Sequence, residues 1–134
     1  MKNTLTIICG VPGSGKSTVA KALVSAGYAD IYYEADMWMM ENGEYIFKPE
    51  KLRYAHVSCQ KAVETALIDN KNVIVSNTSV SAKERNTYTK MAKEYDCNLQ
   101  LMRLDGNFGS IHNVPLEKVE EMRQKLNESW GKII

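Results

Sequence analysis

The run Gly10-Val11-Pro12-Gly13-Ser14-Gly15-Lys16-Ser17 completes the pattern G-x-x-x-x-G-K-[ST]. Those residue types at that spacing suit the holding of a polyphosphate. Its oxygens must be met by several backbone N–H groups at once, and glycine admits both positive φ angles and close approach. A helix beginning at the end of the run adds the partial positive charge of its first N–H groups. This assigns phosphate binding to Gly10, Pro12, Gly13, Ser14, Gly15, Lys16, Ser17 and Thr18. Lys16 is expected to reach the β and γ phosphates of ATP, and the Ser17 hydroxyl to ligate Mg²⁺. Binding alone does not fix the chemistry. Transfer to a hydroxyl needs a base, a cation for the transition-state charge and often an acidic residue that supports the metal.

The candidate base is Asp36, in Glu34-Ala35-Asp36, because the end of the strand after the first crossover helix lies beside the phosphate loop in an α/β sheet. A carboxylate there accepts or orients the acceptor's proton, and it serves equally as an N-cap for Met37 to Met40. Alternation along the strand points Glu34 away from the side of Ala35, which ranks it below Asp36. Aromatic residues crowd the same segment, and Trp38, Tyr45 and Phe47 are candidate stacking platforms for an acceptor, whereas Tyr32 and Tyr33 read as cover for the sheet. Between Tyr28 and Tyr54 six acids face three bases, a balance that opposes a deep channel for a long polynucleotide. Three cations are candidates for the transition-state charge. Lys83 and Arg85 begin the helix after the third strand, where a solvated face is the favoured reading, and Arg103 lies near the end of the fourth strand.

The elements that must position these residues alternate along the chain. Thr4 to Cys9 is a short β-branched run stopped by Gly10, a buried parallel strand. Val19, Ala20, Ala22 and Leu23 continue as a helix to a Gly27 cap. Ile31-Tyr32-Tyr33 is a second strand, and Asn42-Gly43 a turn. A long helix runs from Pro49, with Leu52, Ala55, Cys59, Ala62, Val63, Ala66 and Leu67 on one face, to Asp69-Asn70. Val73-Ile74-Val75 is a third strand. Ser81-Ala82-Lys83-Glu84 has the form of a capping box, opening a helix with Tyr88, Met91, Ala92 and Tyr95 inward. Leu99 to Leu104 alternates as a fourth strand, and after a loop with Gly106 and Gly109, Pro115 takes a first helical position. The last helix carries Leu116, Val119, Met122, Leu126 and Trp130 on one stripe. The sum is an α/β fold, a parallel sheet of about four strands with helices on both faces and right-handed crossovers.

The 134 residues suit a single domain spanning 1–134, with 44% hydrophobic residues for its core. Lysine and arginine total 17 against 16 acids, so no basic surface advertises capture of a membrane or a long nucleic acid. Cys9, Cys59 and Cys97 are odd in number and far apart, which reads as reduced core thiols in a cytoplasmic protein. The short apolar run at the start falls below signal-peptide or membrane-spanning length.

With these residues in hand, the chain resembles the P-loop kinases grouped around the bacteriophage polynucleotide kinase, including small ATP-binding proteins of phages and bacteria. The matching stretches are Gly10 to Ser17, Ala35-Asp36, Ala55-His56 with Cys59, Val73 to Thr78, and Gly106-Asn107-Phe108-Gly109 leading to His112-Asn113-Val114-Pro115. The resemblance implies a four-stranded parallel sheet with the P-loop strand central. It also implies Asp36 as the base that activates a hydroxyl, with Lys16 and Ser17 on the phosphates and magnesium of ATP. The activity implied is transfer of the γ-phosphate to a nucleoside, a nucleotide or the 5′ end of a single-stranded nucleic acid. Three departures accompany it. Ser76 and Asn77 stand where the family commonly has an aspartate, Met39 stands where an arginine follows the base, and the loop from Asp105 to Asn113 has no basic residue. His112 either covers the nucleotide or fixes its loop. These departures keep a second reading open, an ATP-binding regulator or impaired kinase relative that acts through a protein partner.

Overall fold

The computed structural model describes residues 2–79, 81–108 and 114–130. In chain order the elements are β1 (Thr4–Cys9), α1 (Lys16–Ser25), β2 (Ile31–Tyr33), β3 (Met40–Glu41), β4 (Glu44–Tyr45), α2 (Leu52–Ile68), β5 (Val73–Ser76), α3 (Ala82–Glu94), β6 (Asn98–Arg103) and α4 (Leu116–Ser129). Short 3₁₀ turns at Ala35–Met39 and Pro49–Lys51 bracket the β3–β4 hairpin. Four strands form one parallel sheet in the order β2-β5-β1-β6, with Ile7 paired to both Val75 and Leu101. The strand that feeds the phosphate loop is therefore interior, as the resemblance implied.

Position in the sheet explains composition. In β1, Leu5, Ile7, Ile8 and Cys9 have no exposed surface, since an interior parallel strand is covered on both faces. Leu5, Ile7 and Cys9 turn to a core built from Ala55, Cys59, Val63 and Leu67 of α2, Tyr88, Met91 and Ala92 of α3, and Leu126 of α4. Ile8 and Ile74 turn to the other face, where α1 supplies Val19, Ala20, Leu23 and Val24. Helices thus cover both faces. The edge strand β6 differs from the alternation expected of it: Asn98, Leu99 and Gln100 are exposed and its second half is half-buried.

Local signals explain the ends. Gly27 adopts φ 84° just past the end of α1, and Tyr28 N–H donates to the Leu23 carbonyl at 3.0 Å. Asn42 and Gly43 take φ of 50° and 82°, the left-handed pair that a two-residue hairpin turn requires. The Ser81 hydroxyl accepts from Glu84 N–H at 3.1 Å, the cap expected at α3. Pro115 sits one place earlier than expected, as the residue before α4. Leu52 and Leu116, at the first positions of α2 and α4, are exposed and stand outside the inward stripes. Among the described residues no helix is long and apolar enough to cross a membrane.

Candidate active site

The phosphate cradle follows from how β1 must turn into α1. Gly10 N–H donates to the Thr78 carbonyl at 3.3 Å, tying the loop to the end of β5. A Cβ on Gly10 would lie 2.3 Å from the Ser14 Oγ and 2.8 Å from the Leu104 carbonyl oxygen, so only glycine fits. Gly13 and Gly15 take φ of 83° and 96°. Pro12 and Gly13 are half-buried, while Thr18 is exposed. No side chain caps α1, so the first amides, at Lys16 and Ser17, are left for a ligand. The Ser14 hydroxyl is buried without a hydrogen-bond partner among the described residues. Phe108 N–H donates to the Gly13 carbonyl at 2.9 Å, and its ring lies 3.4 Å from where a Cβ on Gly15 would be.

Lys16 curls over the loop and donates to the Val11 carbonyl at 3.2 Å. Burial holds its pKa below the usual lysine range, with the charges of Glu34 and Asp36 opposing the fall. Glu34, ranked below Asp36 from the sequence, accepts a hydrogen bond at its Oε2 from Ser17 Oγ at 2.9 Å. Alternation held: Ile31, Tyr33 and Ala35 pack toward α2, Tyr32 packs toward α1, and Glu34, still extended, falls on the α1 side, where Ser17 stands. Burial raises the Glu34 pKa, the Ser17 hydrogen bond opposes that, and the Asp36 charge adds to the rise. The Ala35 N–H between the two carboxylates donates to Asn77 Oδ1 at 2.8 Å, which fixes the turn to the end of β5. Asn77, noticed in the sequence only for its lack of charge, is the clamp of this segment.

Asp36 is half-buried in the first turn of that 3₁₀ segment. Burial and the Asp36 charge together raise the Tyr45 phenol pKa, which places the hairpin on the same side of the cleft. Trp38 and Tyr45 are partly consumed in packing on the core, Trp38 with its ring centroid 6.2 Å from that of Tyr33. Phe47 is 55% exposed.

The candidate cations separate. Lys83 is exposed at the start of α3. Arg85 corrects the expectation of a solvated face: it has no exposed surface and donates to the Ser79 carbonyl at 2.9 Å and the Ser129 carbonyl at 2.7 Å. Its guanidinium also lies 5.5 Å from the Trp130 ring centroid. Position 85 shares a helical stripe with Tyr88 and Ala92, a signal present in the sequence. Arg103 pairs with Asp105 at 2.8 Å, bonds Asn127 and lies 5.4 Å from the Trp130 ring centroid. Both arginines are thus held toward α4. Gly109, His112 and Asn113 lie outside the described residues.

The donor set fits Mg-ATP. Hydroxyl and carboxylate oxygens suit a hard cation, and no group of three or more His, Cys, Asp or Glu side chains among the described residues forms a metal cage. A magnesium ion here would share Ser17 with phosphate oxygens, and the open amides and Lys16 suit the phosphates.

The AAA_33 family model, an AAA domain, matches residues 5–107. The chain belongs to this P-loop kinase family. An uncharacterised protein of Pasteurella multocida is 31% identical over 132 residues, covering 89% of this chain and 74% of that one. A protein of Acanthamoeba polyphaga mimivirus, named as a bifunctional polynucleotide phosphatase/kinase, is 25% identical over 126 residues, with 94% of this chain and 24% of that protein covered. The AAA_33 chain thus spans about a quarter of the viral protein. Among solved structures, the Pnkp1/Rnl/Hen1 RNA repair complex contains a chain that superposes with TM-score 0.79 at 20% identity, covering 99% of this chain and 47% of that one. The APS kinase CysC of Mycobacterium tuberculosis, in complex with AMPPNP and APS, gives 0.58 at 17% identity, covering 99% and 77%. These likenesses establish the P-loop kinase fold.

Proposed function

We propose that this chain is a Mg-ATP-dependent phosphotransferase whose acceptor is a hydroxyl of a nucleoside, a nucleotide or the 5′ end of a single-stranded nucleic acid. The observation that carries the reading is the 3₁₀ turn beside the phosphate cradle, where Glu34 is bonded to Ser17 Oγ at 2.9 Å and Asp36 stands half-buried two residues on. One carboxylate can serve the metal in any Mg-nucleotide site, and the second, Asp36, suits transfer to a hydroxyl as base for the acceptor's proton. The loop amides and Lys16 hold the phosphates, and Asp36 takes the acceptor's proton as its oxygen bonds to the γ-phosphorus. The bond to the β–γ bridging oxygen breaks and ADP leaves. Magnesium held at Ser17 supplies neutralisation of the charge on the β and γ oxygens. Trp38, Tyr45 and Phe47 line the acceptor side, Phe47 offering the most open ring. The polynucleotide kinase among the relatives favours a nucleic-acid or nucleotide acceptor over a sugar or sulfate ester.

Labelled phosphate from γ-labelled ATP is offered to nucleosides, nucleoside monophosphates and 5′-hydroxyl oligonucleotides. Label in one class, lost in Asp36→Asn, supports the reading; label at wild-type rates in Asp36→Asn sinks the assignment of the base. The engagement of Arg85 and Arg103 with α4 favours a second reading, an ATP-binding regulator that acts through a protein partner. That reading expects ATP binding with no label in any acceptor.

A further inference from the structure

P-loop phosphotransfer commonly pairs the metal-ligating hydroxyl with an acid, and the end of β5 offers none. Ser76 is buried with its hydroxyl lacking a partner among the described residues, and Asn77 is neutral and bonded to Ala35 N–H. The acid is supplied from across the cleft. We propose that Glu34 is the carboxylate that supports magnesium at this site, holding the Ser17 hydroxyl by its proton so that the oxygen lone pairs remain for the ion. The proposal rests on the reading of the loop as a Mg-nucleotide site.

Two observations converge on it. Ser17 Oγ donates to Glu34 Oε2 at 2.9 Å, so the carboxylate acts on the atom that would ligate the metal. Glu34 opens a 3₁₀ turn pinned by the bond of 2.8 Å from Ala35 N–H to Asn77, and the pin lets a side chain of several rotors keep one direction. Glu34 is therefore a positioning residue that acts through Ser17, and Asp36 is left to the acceptor. Ligands oriented in this way by an outer partner typically lose about 10–100-fold in metal affinity when the partner is removed.

The test reads binding, so it needs no turnover. The Kd of ADP is measured by calorimetry with and without Mg²⁺ for the wild type, Glu34→Gln, Glu34→Asp and Ser17→Ala, with thermal melts as the check on folding. The expected result is that Glu34→Gln keeps metal-free ADP affinity and shrinks the magnesium enhancement about tenfold or more. Glu34→Asp, which keeps the charge, is expected to retain part of it. In the Ser17→Ala background, Glu34→Gln should remove little more, because the carboxylate acts through that hydroxyl. A magnesium enhancement unchanged in Glu34→Gln, or lost as fully in Glu34→Asp as in Ser17→Ala, overturns the proposal and leaves Glu34 as a tie between β2 and α1; so does a wild type whose ADP binding ignores Mg²⁺. Absence of labelled acceptor alongside a Glu34-dependent magnesium effect would reject the phosphotransferase and keep this inference.

Discussion

The two walls of the cleft are built from different material. On the phosphate wall, from Gly10 to Ser17, the groups that meet a ligand are main-chain amides, aimed by the φ angles of Gly13 and Gly15 and by the head of α1. On the facing wall, from Glu34 to Phe47, they are side chains carried on a five-residue 3₁₀ turn and a hairpin of two-residue strands. The first wall is rigid because its backbone leaves no room for change: a Cβ at Gly10 would meet Ser14 Oγ at 2.3 Å. The second is held by few bonds, of which the one to Asn77 is the anchor. The phosphate wall is thus a backbone frame with Lys16 and Ser17 as its working side chains, and the facing wall is side chains that can be exchanged without disturbing the loop.

Substitutions separate the two walls. Lys16→Ala should abolish both ATP binding and transfer, seen as loss of a calorimetric signal and of labelled product. Asp36→Asn should leave ATP affinity near wild type while transfer falls by about 10²–10⁴; equal losses in both would erase the division. Arg85→Leu tests whether the buried cation belongs to either wall. Without it the Ser79 and Ser129 carbonyls lose charged donors, a loss of about 1.5–3 kcal/mol each at most. A large drop in melting temperature with nucleotide affinity intact is expected, whereas an intact melt with a collapsed rate would return Arg85 to the chemistry. Lys83→Ala is expected to change stability by no more than about 0.5 kcal/mol.

Thiol chemistry gives the smallest effect. Burial pushes the Cys9 thiol up to about 11, so at pH 8 it remains protonated. Cys97 is half-buried and should react with a disulfide reagent first, Cys9 and Cys59 only after unfolding. Rapid modification of all three in the folded protein would show that the base of the loop opens readily.

What the sequence disclosed follows the same division. A main-chain site is written in glycine and spacing, so Gly10 to Ser17 was legible in full, as were Gly27, Asn42-Gly43 and the Ser81 cap, where a residue type answers a local backbone need. The interior sheet was legible through its continuous apolar runs. The role of Glu34 was not, because alternation gave its face but not its partner, and Ser17 meets it there only through the packing of α1 on the sheet. Asn77 was read for the charge it lacks, and its bond to a residue 42 positions away is set by the parallel pairing of β2 with β5. Arg85 was misjudged because a charged residue was presumed to face water, although its stripe with Tyr88 and Ala92 pointed inward.

The bond between Asn77 and Ala35 N–H carries a consequence for how this site varies among relatives. Asparagine and aspartate codons differ by one base, so an acid at position 77 is a single step away. It would stand beside Glu34 and Asp36, and three carboxylates around one hydroxyl repel one another. A lineage that acquires an acid at 77 is therefore expected to surrender the one at 34, so that the two positions covary across the sheet.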